Sequence, residues 1–137
     1  FLGVKNPNPD VPEMRMTVRA RELSDLLGLT DRFVFFNEGW VEYDQRQNYL
    51  LEADIGVSCH LDHVETAYSF RTRILDYLWA SLPIVATQGD TFGDLITAEG
   101  LGVAVPPEDV DALEAALFRL LDDREFAAQC RKRVAEL

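Results

Sequence analysis

The chain has 137 residues, 47% of them hydrophobic and 10% aromatic, and a formal charge of −11. That length suits one domain with one core, and the apolar content excludes a disordered chain. The acid excess excludes a nucleic-acid backbone as partner, which calls for a basic face. No apolar run approaches the roughly 20 residues that cross a bilayer.

Phe1–Val4 is expected to be a short buried strand, closed by the turn-rich Asn6-Pro7-Asn8-Pro9-Asp10. Starting in an apolar run without Met, the chain reads as a piece of a longer protein. Helical periodicity runs from Met14 to Leu29 through Val18, Leu23, Leu26 and Leu27, with Gly28 near its end. Phe33–Phe36 reads as a second strand and Asn37–Tyr43 as a loop carrying Gly39-Trp40-Val41. Asp44 can N-cap a helix to about Ala53, with Tyr49, Leu50 and Leu51 inward. Ile55–Ser58 reads as a third strand, and His60–Tyr68 as a polar loop. Ser69 is expected to cap a helix from Phe70 to about Ser81. Ile84–Ala86 reads as a fourth strand. The turn Thr87-Gln88-Gly89 then opens a helix from Asp90 to Ala98. Gly102–Val105 is the fifth strand, stopped by Pro106-Pro107. Asp109 caps a helix to about Leu121, and a last helix starts at Arg124.

Short apolar runs alternating with helices predict an α/β fold: a Rossmann-like parallel sheet with helices on both faces. Ligands of such sheets bind beyond the carboxyl ends of the strands. That places Asn37–Tyr43, His60–Ser69 and Thr87–Asp90 on one rim. Cys59 and Cys130 lie far apart, and Cys59 ends an apolar run, so a buried free thiol at Cys59 rather than a disulfide, and a reducing cytoplasm, are expected.

The segment Ile55–Thr87 carries the chemistry. On a 3.6-residue wheel Phe70, Ile74, Tyr77, Leu78 and Ser81 share one side, and Ser69, Thr72, Arg73 and Asp76 the other. Arg73 and Asp76 can form a plain surface ion pair. Alternatively, the helix start gathers Ser69, Arg71, Thr72 and Arg73 where unpaired backbone N–H groups favour anions. A strand, a loop and such a helix offer amides to phosphates and a carboxylate to sugar hydroxyls, the chemistry of a nucleotide-sugar site. His60, Asp62, His63 and Glu65 match no closed zinc spacing, and polar loop residues are the simpler reading.

Asp76-Tyr77-Leu78-Trp79-Ala80-Ser81-Leu82-Pro83-Ile84-Val85 resembles the E-A-M-A-x-G-x-P-V-V segment of GT-B glycosyltransferases of the GT4 (group 1) class. Leu29–Phe35 resembles that family's L-x-D-R-V-x-F, and Gly39-Trp40-Val41 its G-x-V. Leu51–Ile55 is similar to Y-x-x-A-D-V. Gly89 and Asp94 fall at G-x-x-E. Gly100–Val103 with Pro106 and Asp109 resemble the closing G-x-G-x-x-x-x-P-x-D. The likeness implies a truncated GT-B C-terminal domain: residues 1–137 as one nucleotide-sugar donor-binding domain, lacking its first strand–helix unit and its N-terminal acceptor domain.

The resemblance also implies roles. Asp76 stands where the second Glu of an E-x7-E motif holds the donor's ribose hydroxyls. Arg73 matches the basic residue before it. Ser69 and the backbone of Phe70 and Arg71 face the diphosphate. Gly39, Trp40 and Val41 lie beside the base, though the Trp40 side chain suits the core better. Tyr68 stands where the first Glu would be, so Glu65 either replaces it at the donor sugar or is a solvated loop acid. His60 can touch sugar or phosphate. Ser81 stands for a Gly, implying left-handed backbone or a different helix end. The only basic residue near the first rim is Lys5, a surface lysine. The family implies transfer with retention, a nucleotide sugar as substrate and no metal or other cofactor. It also implies a cytoplasmic enzyme, with the inner face of the membrane open to the full-length protein, and a fragment inactive alone. The other reading is a non-catalytic α/β nucleotide-binding or regulatory module.

Overall fold

A computed structural model describes residue 8, residues 10–37, residue 39 and residues 41–137. The expected Phe1–Val4 strand, Lys5, most of the first turn and Trp40 lie outside the described residues. The chain divides into two units, Phe1–Arg46 and Gln47–Leu137, each described by itself.

In the first unit, Asn8 accepts from the Asp10 amide at 3.0 Å, a local turn made by an Asn side chain. Helix α1 spans Arg15–Leu26. Gly28 follows in left-handed backbone (φ 66°), letting the Leu29 N–H return to the Ser24 carbonyl at 2.9 Å. The apolar period of this helix does not mark a buried face within the unit. Leu23, Leu26 and Leu27 are exposed and only Ser24 is buried, its hydroxyl 2.7 Å from that of Thr30. The expected strand at Phe33–Phe36 is corrected. Thr30 and Val34 form one isolated bridge, and the Phe33 and Val34 amides turn back to the Leu29 carbonyl. Among the described residues the segment joins no strand of the sheet.

The second unit holds the sheet. A 3-10 turn, Tyr43–Gln45, leads into α2 (Arg46–Leu51), which crosses the unit boundary. Asp44 lies inside that turn rather than capping a helix. Of the three side chains expected inward, only Leu50 packs on the core, while Tyr49 and Leu51 are exposed. Strand β1 (Gly56–Ser58) is followed by a short helix α3 (Val64–Tyr68) where a loop was expected. Then come α4 (Thr72–Trp79), β2 (Ile84–Thr87), α5 (Thr91–Glu99), β3 (Gly102–Val105), α6 (Val110–Asp122) and α7 (Arg124–Glu136).

The three strands are parallel in the order β1-β2-β3, with Val57 beside Val85 and Ala86 beside Ala104. Central β2 is buried at every residue, as a strand covered on both faces should be. Its alternation feeds two cores. Ile84 and Ala86 join Ile74, Tyr77, Phe92 and Ile96 of α4 and α5. Val85 joins Ala116 and Leu120 of α6 and Cys130 of α7. The expected α/β fold with helices on both faces is the observed one. No described helix is long and apolar enough to cross a membrane.

Candidate functional site at the strand tips

At the carboxyl end of β1 the chain leaves the sheet through Cys59 and His60. Cys59 is an exposed free thiol and Cys130 the buried one, correcting the expectation that Cys59 is buried. The cause is position: β1 is an edge strand of the described sheet, with Val57 exposed and Ser58 only half-buried. The His60 amide donates to the Thr87 hydroxyl at 3.1 Å, tying the loop to the tip of β2. Its Nδ1 lies 3.3 Å from the Leu61 carbonyl, and its Nε2 is buried without a hydrogen-bond partner.

The His60–Tyr68 segment forms α3 because His63 caps it, its Nδ1 accepting from the Glu65 amide at 3.1 Å. Glu65 and Tyr68 are both exposed. Among the described residues no three His, Cys, Asp or Glu side chains gather as a metal-holding group. Ser69 does not cap α4, a second correction at this rim. It terminates α3, its hydroxyl donating to the Thr66 carbonyl at 3.2 Å. Helix α4 then starts at Thr72, with Arg71 as N-cap and no side-chain capping bond. Helices α5, α6 and α7 differ: Asp90, Asp109 and Asp123 each accept a first-turn amide.

The wheel reading holds for Ile74 and Tyr77, which are buried, and for half-buried Leu78. It fails for Phe70, which precedes the helix and is exposed, its ring tilted against that of Phe92 with centroids 5.0 Å apart. On the opposite side Thr72 and Arg73 are exposed and Asp76 is half-buried. The Tyr77 hydroxyl donates to the Val57 carbonyl at 2.8 Å, fastening α4 to β1. Burial pushes the Tyr77 phenol up; the Arg73 charge works against this and Asp76 with it, so both charged groups lie within electrostatic reach of that phenol.

Arg71 is where the structure departs most from expectation. Its guanidinium donates to the Ser58 carbonyl at 3.2 Å, to the Thr87 carbonyl at 3.1 Å and to both oxygens of Asp90. The Arg71 and Asp90 side chains are only 9% and 2% exposed. Asp90 also accepts from the Gly93 amide at 2.8 Å. Burial works to raise the Asp90 pKa. The hydrogen bonds from Arg71 and the Gly93 amide, with the charges of Arg71 and His60, outweigh it and hold the carboxyl below its ordinary value. Asp90 is the residue that sequence reasoning missed. Its place just past the end of β2 was legible, but its partner Arg71 stands 13 residues beyond Ser58, after α3, and nothing local joins the two.

The rim thus brings together His60, Arg71, Thr87 and Asp90, while Arg73 and Asp76 lie along α4 within electrostatic reach of Tyr77. Glu65 and Ser69 sit on the intervening α3 segment. Gly39 and Val41 belong to the first unit, where the Gly39 amide donates to the Asn37 side chain at 3.1 Å.

A family model described as "Glycosyl transferases group 1" matches residues 10–123. Comparison with curated proteins finds no match. Among solved structures the chain is similar to sucrose-phosphate synthase from Thermosynechococcus elongatus, with a TM-score of 0.69 and 24% identity. That match covers 95% of this chain and 32% of the synthase, so the chain spans about a third of its length. At that identity the likeness carries the fold, the Rossmann-like architecture of a GT-B glycosyltransferase.

Proposed function

Because this chain belongs to the group 1 glycosyltransferases, we propose that it is the donor-binding half of a retaining enzyme that transfers a sugar from a nucleotide diphosphate to an acceptor. The observation that supports this most is the start of α4. It opens without a side-chain cap, its N-cap Arg71 bonded to the Ser58 carbonyl that ends β1, and His60, two residues beyond Ser58, has a buried Nε2 that lacks a partner. First-turn amides and the positive end of a helix suit a diphosphate. A hydroxyl or phosphate oxygen would satisfy the orphaned imidazole, which otherwise carries a desolvation cost.

In this reading the backbone of Phe70 and Arg71, with Ser69, faces the diphosphate and Arg73 adds a cation. Asp76 accepts the vicinal ribose hydroxyls, and Glu65 approaches the donor sugar. Gly39, Trp40 and Val41 lie beside the base. As the sugar–phosphate bond breaks, negative charge builds on the leaving diphosphate. Amides and Arg73 fixed in advance stabilise it without reorganising. No metal or other cofactor takes part. The acceptor belongs to a separate N-terminal domain, so residues 1–137 alone are inactive. The enzyme works in the cytoplasm, where the inner membrane face is within reach.

Titration with UDP, GDP and TDP tests this reading. One nucleoside diphosphate should bind better than the others, and Asp76→Ala or Arg73→Ala should weaken it. Losing one charge-assisted hydrogen bond costs roughly 1.5–3 kcal/mol, about tenfold to a hundredfold in Kd. Equal indifference to all three, unaltered in both variants, would overturn the assignment.

A further inference from the structure

Arg71 begins α4, yet its side chain points into the protein rather than toward solvent. It spends four N–H groups on the ends of two strands, Ser58 and Thr87, and on the acid that caps α5. A guanidinium has five such groups in a rigid fork. Almost none of its capacity remains for a ligand, and with Asp90 beside it the pair adds no net charge to attract one. Nor is stability a sufficient reason for the pair. Burying an ion pair costs desolvation that its attraction barely repays, and apolar residues of similar volume often do as well.

What the pair does supply is geometry: one guanidinium joins the carboxyl tips of β1 and β2 to the first turns of α4 and α5. We propose that Arg71 and Asp90 are positioning residues of the donor site, a brace that fixes the Phe70–Arg73 backbone over the strand tips, and that the Arg71 guanidinium is not itself a phosphate ligand. This rests on the donor-site reading above. The phosphate is then met by backbone amides and exposed Arg73, and Arg71 acts through the placement of both.

Asp90→Asn in the full chain separates the alternatives, because they predict opposite signs. Asn still accepts from the Gly93 amide, but the ion pair is lost. If Arg71 were a phosphate ligand, removing its competing carboxylate would tighten nucleoside diphosphate binding. With a brace, UDP, GDP or TDP binding weakens by on the order of tenfold to a hundredfold, as for a displaced binding group. Amide hydrogen exchange over residues 59–74 speeds up about tenfold or more without any nucleotide present. Tighter binding, or exchange unchanged from wild type, would refute the brace.

Replacing both partners, Arg71→Met with Asp90→Leu, guards against a variant that fails to fold. It restores packing without the brace, so stability returns to near the wild-type level while binding stays weak and exchange fast. Wild-type binding in that variant would assign the pair a purely structural role and refute the proposal. If the wild-type chain binds none of the three nucleotides, the donor-site reading fails, and exchange in Asp90→Asn still decides whether the brace exists.

Discussion

Ser81 ends α4 in left-handed backbone, φ 55°, a region that costs an L-residue about 1–2 kcal/mol. The reason lies in the hydrogen bonds. The Leu82 amide reaches back to the Tyr77 carbonyl at 2.9 Å and the Ser81 amide to that of Leu78 at 3.0 Å, closing the helix in a Schellman motif. Leu82 and Tyr77 are then both buried in one core. A glycine there would relieve the strain and lose more chain entropy on folding, so the two effects partly cancel. Ser81→Gly is expected to stabilise by roughly 0.5–1 kcal/mol, raising Tm by about 2–4 °C in a thermal melt. An unchanged or lower Tm would show that the strain is absorbed elsewhere. This strain was legible in the sequence, since a Ser stands where the resembling segment carries Gly. Ser69 shows the opposite case. A hydroxyl before an apolar run reads as a helix start, but here it closes the preceding helix.

Helices α5, α6 and α7 begin where an Asp precedes the periodic segment, and each Asp makes the capping bond its position predicts. Such starts depend on atoms within three residues, which is why the cap at Asp109 and the helix starts near Asp90 and Arg124 could be read directly. Docking of α4 depends on atoms much farther along the chain. Gly56 lies under the Tyr77 ring, and a Cβ there would fall inside contact distance of it. Gly56→Ala should lift α4 from β1, lose the Tyr77–Val57 hydrogen bond and cost about 1–3 kcal/mol by urea unfolding, as overpacking does. A neutral result would mean that the ring swings aside without loss. Phe33–Phe36 and the Leu23–Leu27 stripe mark the limit of element-level reading. Apolar residues in sequence announce that a partner is wanted, and within the first unit Leu23, Leu26, Leu27, Phe33 and Phe35 stay exposed.

The Arg71–Asp90 pair also ties stability of the second unit to pH. The folded carboxyl of Asp90 is held below its ordinary value, so the folded state prefers it ionised. Its contribution is complete above the unfolded carboxylate range, about pH 4–5, and is lost as pH falls through the lower folded value. Comparing wild type with Asp90→Asn isolates this group from the other acids. The difference in unfolding free energy should stay flat at neutral pH and shrink below about pH 4. A difference that persists undiminished to pH 3, or that grows, would contradict the assignment. The wider acid excess acts otherwise, as surface charge that favours solubility without choosing a fold.

Alternation of apolar runs, helix periods and turn residues was enough to announce an α/β sheet, and a row of short segments in order was enough to suggest the family. These signals are local, because strand pleat and helix pitch print their period on neighbouring residues. The pairing of Arg71 with Asp90 was beyond such reading. Nineteen positions separate the two, and only the parallel alignment of β1 with β2 brings their tips together. The same packing turned the Arg71 side chain inward as a strut and left Cys59 exposed. Periodicity is a property of the backbone, whereas a meeting of side chains across strands exists only once the sheet has formed.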